Sequence, residues 1–314
     1  MCLEGMPLNN EYHAPVLAAD VVALLRECER VVDGTMGGGG HSAALLAAGV
    51  ASVIGIDRDA DALAAAGNRL REHVTAGRMT MVQGNYARVD ELPALDGLAF
   101  DGVLLDLGIS SHQIDDEGRG FTFREGARLD MRMGNDAPAD AAAVLNGEDE
   151  DTLTTIFKTY GDEPRASRLA HEIVRRRANR PFETSGDLVG AIRAVLGARS
   201  GSGEFARLFQ AVRIAVNDEL AGLTRALPML RDRLTPGGTM VVIAYHSGED
   251  RIVKHSFRDW SAACTCPPRQ PFCSCRGQAL GTTITRRARV AGVDEIAANP
   301  RARSARLRAW QSAK

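Results

Sequence analysis

Up to about residue 110, short apolar runs alternate with longer stretches in which apolar residues recur every three to four positions, the pattern of βα units around a parallel sheet. Runs rich in Val, Ile and Leu and bounded by Gly, Asp or Asn predict strands over 30–35 (RVVDGT), 52–58 (SVIGIDR), 79–85 (MTMVQGN) and 100–108 (FDGVLLDLG). Helical spacing predicts helices near 41–48 and 59–73 between the first three strands. The alternation then breaks. Residues 112–216 are polar, rich in Ala, Arg and Glu, helical in pattern, and contain no run that reads as a buried strand. The α/β pattern resumes with a helix over 217–234, closed by TPGG, and a strand over 239–247 (TMVVIAYHS). The expected organisation is a discontinuous α/β domain, with a first part over 1–111, an inserted helical domain over 112–216, and a second part over 217–314 that ends in a basic tail. The stretch GARSGSGE, 197–204, reads as a flexible linker.

Composition narrows the class. The 314 residues are 45% hydrophobic and 25% charged, ordinary for a soluble globular protein with a sizeable core. The N-terminal stretch lacks a basic region followed by an apolar core, and no run of eighteen apolar residues occurs, so a cytoplasmic protein without membrane contact is expected. A formal charge of -2 gives no global attraction to a polyanion, which must then be met by local patches. Arginine is concentrated in EPRASRLAHEIVRRRANR (163–180) and in the tail, from TRRARV through NPRARSARLRAW.

The chemistry centres on VVDGTMGGGGHSAALLAAG, 31–49, where four glycines follow the first predicted strand. In an open α/β sheet, ligands sit beyond the carboxyl ends of the strands, and a glycine turn lets the backbone approach them closely. Gly38, Gly40 and Ala43 formally satisfy the relaxed dinucleotide fingerprint, and Asp57 follows at nearly the expected interval, so nicotinamide and S-adenosylmethionine both compete for the site. Asp33 tips the balance. A carboxylate at the end of the first strand repels a diphosphate but suits the α-ammonium of a methionine-like cofactor, while Asp57 at the end of the second strand can accept both hydroxyls of a ribose. Helix capping explains either acid alone, but two at successive strand ends around a glycine turn favour a ligand.

In order along the chain, DGTMGGGGHS, GIDRD, FDGVLLDLGISSHQIDDEGRGFTFREGARLDMRM, YGDEPRASRLAHEIV, FQAVRIAVNDEL, HSGEDRIVK and NPRARSARLRAW resemble the bacterial 16S ribosomal RNA cytosine-N4 methyltransferase family, over about residues 10 to 310. The resemblance implies a Rossmann-like S-adenosylmethionine-dependent methyltransferase sheet in which the helical insertion recognises substrate. It places Gly39, Gly40 and His41 of the glycine turn, Asp57, Tyr86 of GNYAR, Asp106 of LLDLG and Gln113 in the cofactor site. It implies a cytidine of the decoding region in 16S ribosomal RNA as substrate, within the assembled 30S subunit. Two stretches depart from the family pattern. HSGED carries Gly248 where leucine is usual, which is expected to loosen a loop, and GSGEFARLFQ carries Arg207 and Leu208 where a His-Pro pair and a threonine are usual.

An exocyclic amine is a poor nucleophile, so the enzyme must chiefly orient it. Asp106 is the best-placed acceptor for the departing proton, and Asp130, Arg132, Asn217 and His246 are further candidates for contact with substrate; none is singled out as the general base. A nicotinamide oxidoreductase is disfavoured by Asp33 and by the lack of a hydride-transfer site, and a non-enzymatic RNA-binding assembly protein by the cofactor motifs. Separately, CTCPPRQPFCSC sets Cys264, Cys266, Cys273 and Cys275 in two C-x-C pairs. Four thiolates could bind a structural zinc, but the spacing is not C-x-x-C, so reduced thiols are the default expectation.

Overall fold

The computed structural model describes residues 15–110, 113, 116–267, 270, 272 and 274–314. Its first half runs α1 (Ala18–Leu25), β1 (Arg30–Asp33), α2 (Gly40–Ala47), β2 (Ser52–Asp57), α3 (Ala60–Arg69), α4 (Arg71–Thr75), β3 (Met79–Gln83) and β4 (Phe100–Asp106). A helical insertion follows with α5 (Ala141–Gly147), α6 (Glu150–Thr159), α7 (Ala166–Arg177), α8 (Ser185–Leu196) and α9 (Ser202–Asn217). The chain then returns to the sheet through α10 (Glu219–Asp232), β5 (Leu234–Ala244), α11 (Ser247–Trp260), β6 (Gly281–Thr283), α12 (Val293–Ala298) and β7 (Arg306–Ser312).

The seven strands form one sheet in the order β3-β2-β1-β4-β5-β7-β6. The first five are parallel, and β7 pairs antiparallel with both β5 and β6. The central strands read as continuous apolar runs because helices cover both faces. One face buries Val31, Leu104 and Val241 against Leu25 and Leu45; the other buries Val32, Ile56 and Leu105 against Leu223, Leu227 and Phe257. This is the doubly wound, Rossmann-like arrangement, and its strand order reverses between β1 and β4.

The insertion has a core of its own, built on Leu153, Phe157, Leu169, Ile173, Phe182, Leu188, Leu208 and Val212. Two of its helices, α5 and α6, start where an aspartate side chain caps them: Asp140 accepts from Ala143 N at 2.7 Å and Asp149 from Thr152 N at 2.7 Å. Arg207, at one of the positions that depart from the family pattern, pairs with Glu163 at 2.5 Å, while Leu208 is fully buried in that core. Here the departures hold the insertion together.

Three sequence expectations need correction. The predicted linker is a short turn, since α9 already begins at Ser202. TPGG does not close the preceding helix; it lies inside β5, which begins at Leu234. The basic tail does not end loose: its last part, Arg306–Ser312, is a sheet strand, with Val241 opposite Ala309 and Trp310 fully buried. Arg308 tolerates its place in β7 because Asp250 of α11 takes its guanidinium at 2.6 and 3.1 Å. Among the described residues no helix is long and apolar enough to cross a membrane.

Candidate functional site

A cavity of about 520 Å³ opens at the carboxyl ends of β1, β2 and β4, where the strand order reverses. Gly34, Gly37, Gly38, Gly40, Asp57 and Asp106 line its sheet side. The glycine turn is shaped from below by two carboxylates. Asp57 accepts Gly37 N–H at 2.7 Å on one oxygen and Asp59 N–H at 2.9 Å on the other, and burial raises its pKa. Each of its oxygens keeps a lone pair for a ligand hydroxyl.

Asp33 does not face the cavity, which corrects the expectation that it meets the ligand directly. It is 1% exposed and accepts Ser42 Oγ–H at 2.7 Å and Thr35 N–H at 3.3 Å, so it ties the start of α2 to the end of β1. Burial pushes its carboxyl up to about 6, against the opposing pull of His41 and Ser42. Gly39 also turns away. Its φ of +75° caps α2, and an added Cβ would lie 2.9 Å from Leu70 Cδ1, so this glycine provides the close approach of the turn to α3. Gly37, which neither motif reading named, and Gly38 of the dinucleotide fingerprint line the cavity instead.

Asp106 belongs to a polar group that the sequence hides. The Tyr245 hydroxyl donates to its Oδ1 at 2.8 Å, His41 Nε2 lies 3.3 Å from its Oδ2, and Thr35 Oγ1 accepts its backbone N–H at 2.6 Å. Burial opposes charge on His41, but contact with Asp106 and the negative charges of Asp106 and Asp33 outweigh it and raise the imidazole pKa. The His41 Nδ1 is buried without a hydrogen-bond partner among the described residues. Tyr86 and Gln113 both line the cavity. Burial, reinforced by the Glu249 and Glu219 charges, pushes the Tyr86 phenol well up, so it stays neutral. Gln113 is 7% exposed and committed at both ends: it accepts from Ser110 N at 3.1 Å and donates to Asp59 at 2.8 Å.

The insertion forms the facing wall with Phe121, Phe123, Met131, Met133 and Phe209. Asn217 lines this side, but its amide is spent on the protein, accepting Met133 N–H at 2.8 Å and donating to Met131 O at 2.7 Å and Arg213 O at 3.0 Å. It clamps the end of α9 to the 131–133 segment. Asp130 and Arg132 are not among the lining residues; they bind each other at 2.7 and 2.9 Å. His246 lines the cavity with Nε2 3.3 Å from Glu249. Burial works against the Glu249 charge, but His246, the Tyr245 amide and Arg213 hold its carboxyl below the usual range. Gly248 does not loosen this loop. It lies in the first turn of α11, where an added Cβ would stand 3.1 Å from His246 Nδ1, so glycine lets that ring pack over the turn.

Sequence reasoning missed the ties that dock the insertion on the sheet. Arg58 pairs with Asp136 at 2.7 Å, Asn85 donates to the same carboxylate at 2.8 Å, and Arg119 reaches Asp59 at 2.8 Å. Arg213 and Glu219 form a two-pronged pair, both bonds 2.9 Å, with side chains only 11% and 9% exposed. The charges alone could have flagged these residues, but nothing in the sequence pairs them.

A sequence profile described as the MraW methylase family matches residues 10–313. Among curated proteins, the chain is 61% identical over 302 residues to the ribosomal RNA small subunit methyltransferase H of Gemmatimonas aurantiaca, with 96% of each chain covered. Proteins of the same name from Heliobacterium modesticaldum and Symbiobacterium thermophilum are 45% and 44% identical, each over 95% of this chain and over 97% and 96% of their own lengths.

Proposed function

This chain belongs to the MraW methylase family, and we propose that it transfers a methyl group from S-adenosylmethionine to the exocyclic N4 amine of a cytidine in the decoding region of 16S ribosomal RNA, on the assembled 30S subunit. The observation that carries this reading is one cavity, at the β1/β4 reversal, whose sheet side offers Asp57, backbone glycines and Asp106 while its other wall is aromatic and apolar.

The donor set fits the cofactor. A cavity of about 520 Å³ is the right size for one such molecule. Asp57 has a lone pair on each oxygen for the two ribose hydroxyls, Tyr86 offers a flat ring for adenine, and the glycine turn keeps side chains out of the way. With Asp33 sealed beneath the turn and Asp57 assigned to the ribose, Asp106 is the remaining carboxylate on the sheet side for the α-ammonium, and Tyr245 and His41 fix its orientation. When bound, the cofactor supplies an electrophilic methyl group on sulfonium.

The protein's task is then positioning. Phe121, Phe123 and Phe209 can stack a base that has left its helix, and Met131 and Met133 exclude water beside it. Phosphates are held by only part of the arginine on α7. Glu172 engages Arg175 at 2.9 Å and Arg176 at 2.6 Å, and Arg177 donates to Leu145 O at 2.8 Å, so phosphate contact falls to Arg168 of α7 and to Arg180 just beyond its end. The test is mass spectrometry of nucleosides from small-subunit RNA of a deletion strain and its complemented parent. N4-methylated cytidine should vanish on deletion and return on complementation, and purified enzyme should restore it on 30S subunits better than on bare RNA. Its persistence in the deletion strain refutes the reading.

A further inference from the structure

The loop between α11 and β6 gathers sulfur away from the cavity. The Sγ atoms of Cys264, Cys266 and Cys275 all lie within 4.8 Å of one another, and those of Cys264 and Cys275 are 3.7 Å apart. Two thiolates on one tetrahedral zinc, each about 2.3 Å from the metal, stand about 3.8 Å apart. The 3.7 Å separation of Cys264 and Cys275 matches that edge.

Backbone donors point at the same atoms. Thr265 N donates to Cys275 Sγ at 3.3 Å, and Ser274 N donates to Cys266 Sγ at 3.4 Å. Such N–H···S contacts favour the thiolate over the thiol and form the outer shell of metal-thiolate centres. Within the loop, Gln270 Nε2 donates to Phe272 O at 2.8 Å and to Ser274 Oγ at 2.7 Å. Residues 262–267 and 274–276 form neither helix nor strand, and none of them is buried. Among the described residues, Arg276 ties the loop to the end of α11, donating to Asp259 O and to Ala262 O and pairing with the Asp259 carboxylate at 3.5 Å. Bringing together three side chains spread over this segment costs conformational entropy, and with no buried side chain among its described residues to offset it, ligand bonds supply compensation.

We propose that Cys264, Cys266 and Cys275 are ligands of a structural zinc ion. Zinc suits three clustered thiolates because it is tetrahedral, accepts soft sulfur ligands and is inert to redox change. One tetrahedral position remains. Cys273 lies outside the described residues, and the assignment stands on the three cysteines whose sulfurs converge.

The test uses the full chain, made without chelator and kept reduced, with metals measured by mass spectrometry after gel filtration. About one equivalent of zinc per chain is expected, released by a mercurial thiol reagent. A Cys264→Ser/Cys275→Ser double variant should lose nearly all of it while keeping its affinity for S-adenosylhomocysteine, because the cofactor cavity does not include this loop. Should that variant fail to fold, cobalt substitution of the wild-type chain decides, since tetrahedral thiolate coordination gives sulfur-to-metal charge transfer and visible d–d bands. Three results each overturn the proposal: no zinc in the fresh chain and none taken up on titration, iron in place of zinc, or an undiminished zinc content in the double variant. None of these readouts depends on the substrate assignment.

Discussion

Replacing Asp33 by asparagine tests which carboxylate meets the amino end of the cofactor. Asp33 is 1% exposed and engages Ser42 and Thr35, not the cavity. Burial moves its carboxyl from 3.8 to about 6, so its contribution to stability is fully present below pH 3.8 and is lost as pH rises through about 6. Roughly two pKa units put the cost of ionising it in place at about 3 kcal/mol above pH 7, of which about half has developed by pH 5. Asparagine keeps the shape and an acceptor for Thr35 N–H, and it can donate its amide to Ser42 Oγ without carrying charge. Urea denaturation between pH 5 and pH 8 should therefore show the wild type losing about 1–2 kcal/mol relative to Asp33→Asn across that range. Calorimetry with S-adenosylhomocysteine should show affinities within about tenfold of each other, since no charge-assisted contact to ligand is removed. A variant that binds several hundredfold more weakly and follows the wild-type pH profile would refute the argument and return Asp33 to the ligand.

Two further outcomes follow from the same geometry. Asp57→Ala should weaken S-adenosylhomocysteine binding by about 1–3 kcal/mol, roughly 5- to 150-fold by calorimetry, and should also lower Tm because the Gly37 and Asp59 amides lose their acceptor; unchanged affinity would remove Asp57 from the ribose. Trp310→Ala should cost about 3–5 kcal/mol in urea denaturation, because the indole is fully buried against Trp260 and Phe257; a loss below about 1 kcal/mol would mean that the C-terminal strand is not part of the core.

The central strands were legible because a parallel strand covered on both faces is an unbroken apolar run, as in GVLL (102–105) and MVVIA (240–244). The C-terminal strand was not, and the reason is electrostatic. RLRAWQS places arginine on either side of Leu307, and in isolation that density reads as a solvated tail. Arg308 can sit 8% exposed in β7 only because Asp250, 58 residues earlier, supplies its counter-charge. Compensation of that kind lies between elements, so periodicity within one segment cannot report it. The same limit applies to TPGG, which punctuates the chain locally but lies in β5 as an irregularity between Leu234 and Thr239, the positions that pair with Phe100 and Gly102 of β4.

At the site, the sequence identified positions better than directions. Asp57, Tyr86, Asp106, Gln113, His41 and Gly40 do line one cavity, because a motif fixes which strand ends meet there. Which way each polar atom faces depends on neighbours far away in the chain. Asn217 looked like a substrate contact but is consumed by Met131 and Met133, 86 and 84 residues away, and Asp106 takes its orientation from Tyr245, 139 residues on. A polar residue beside a cavity serves the ligand only with bonding capacity that the fold has not already used. By that count Asp57 and Asp106 retain it and Gln113 keeps one amide N–H and one lone pair, whereas Asp33 is sealed beneath the turn and both N–H groups of the Asn217 amide are spent. The two carboxylates that remain stand beyond β2 and β4, on either side of the glycine turn, where a molecule with hydroxyls at one part and an ammonium at another can satisfy both.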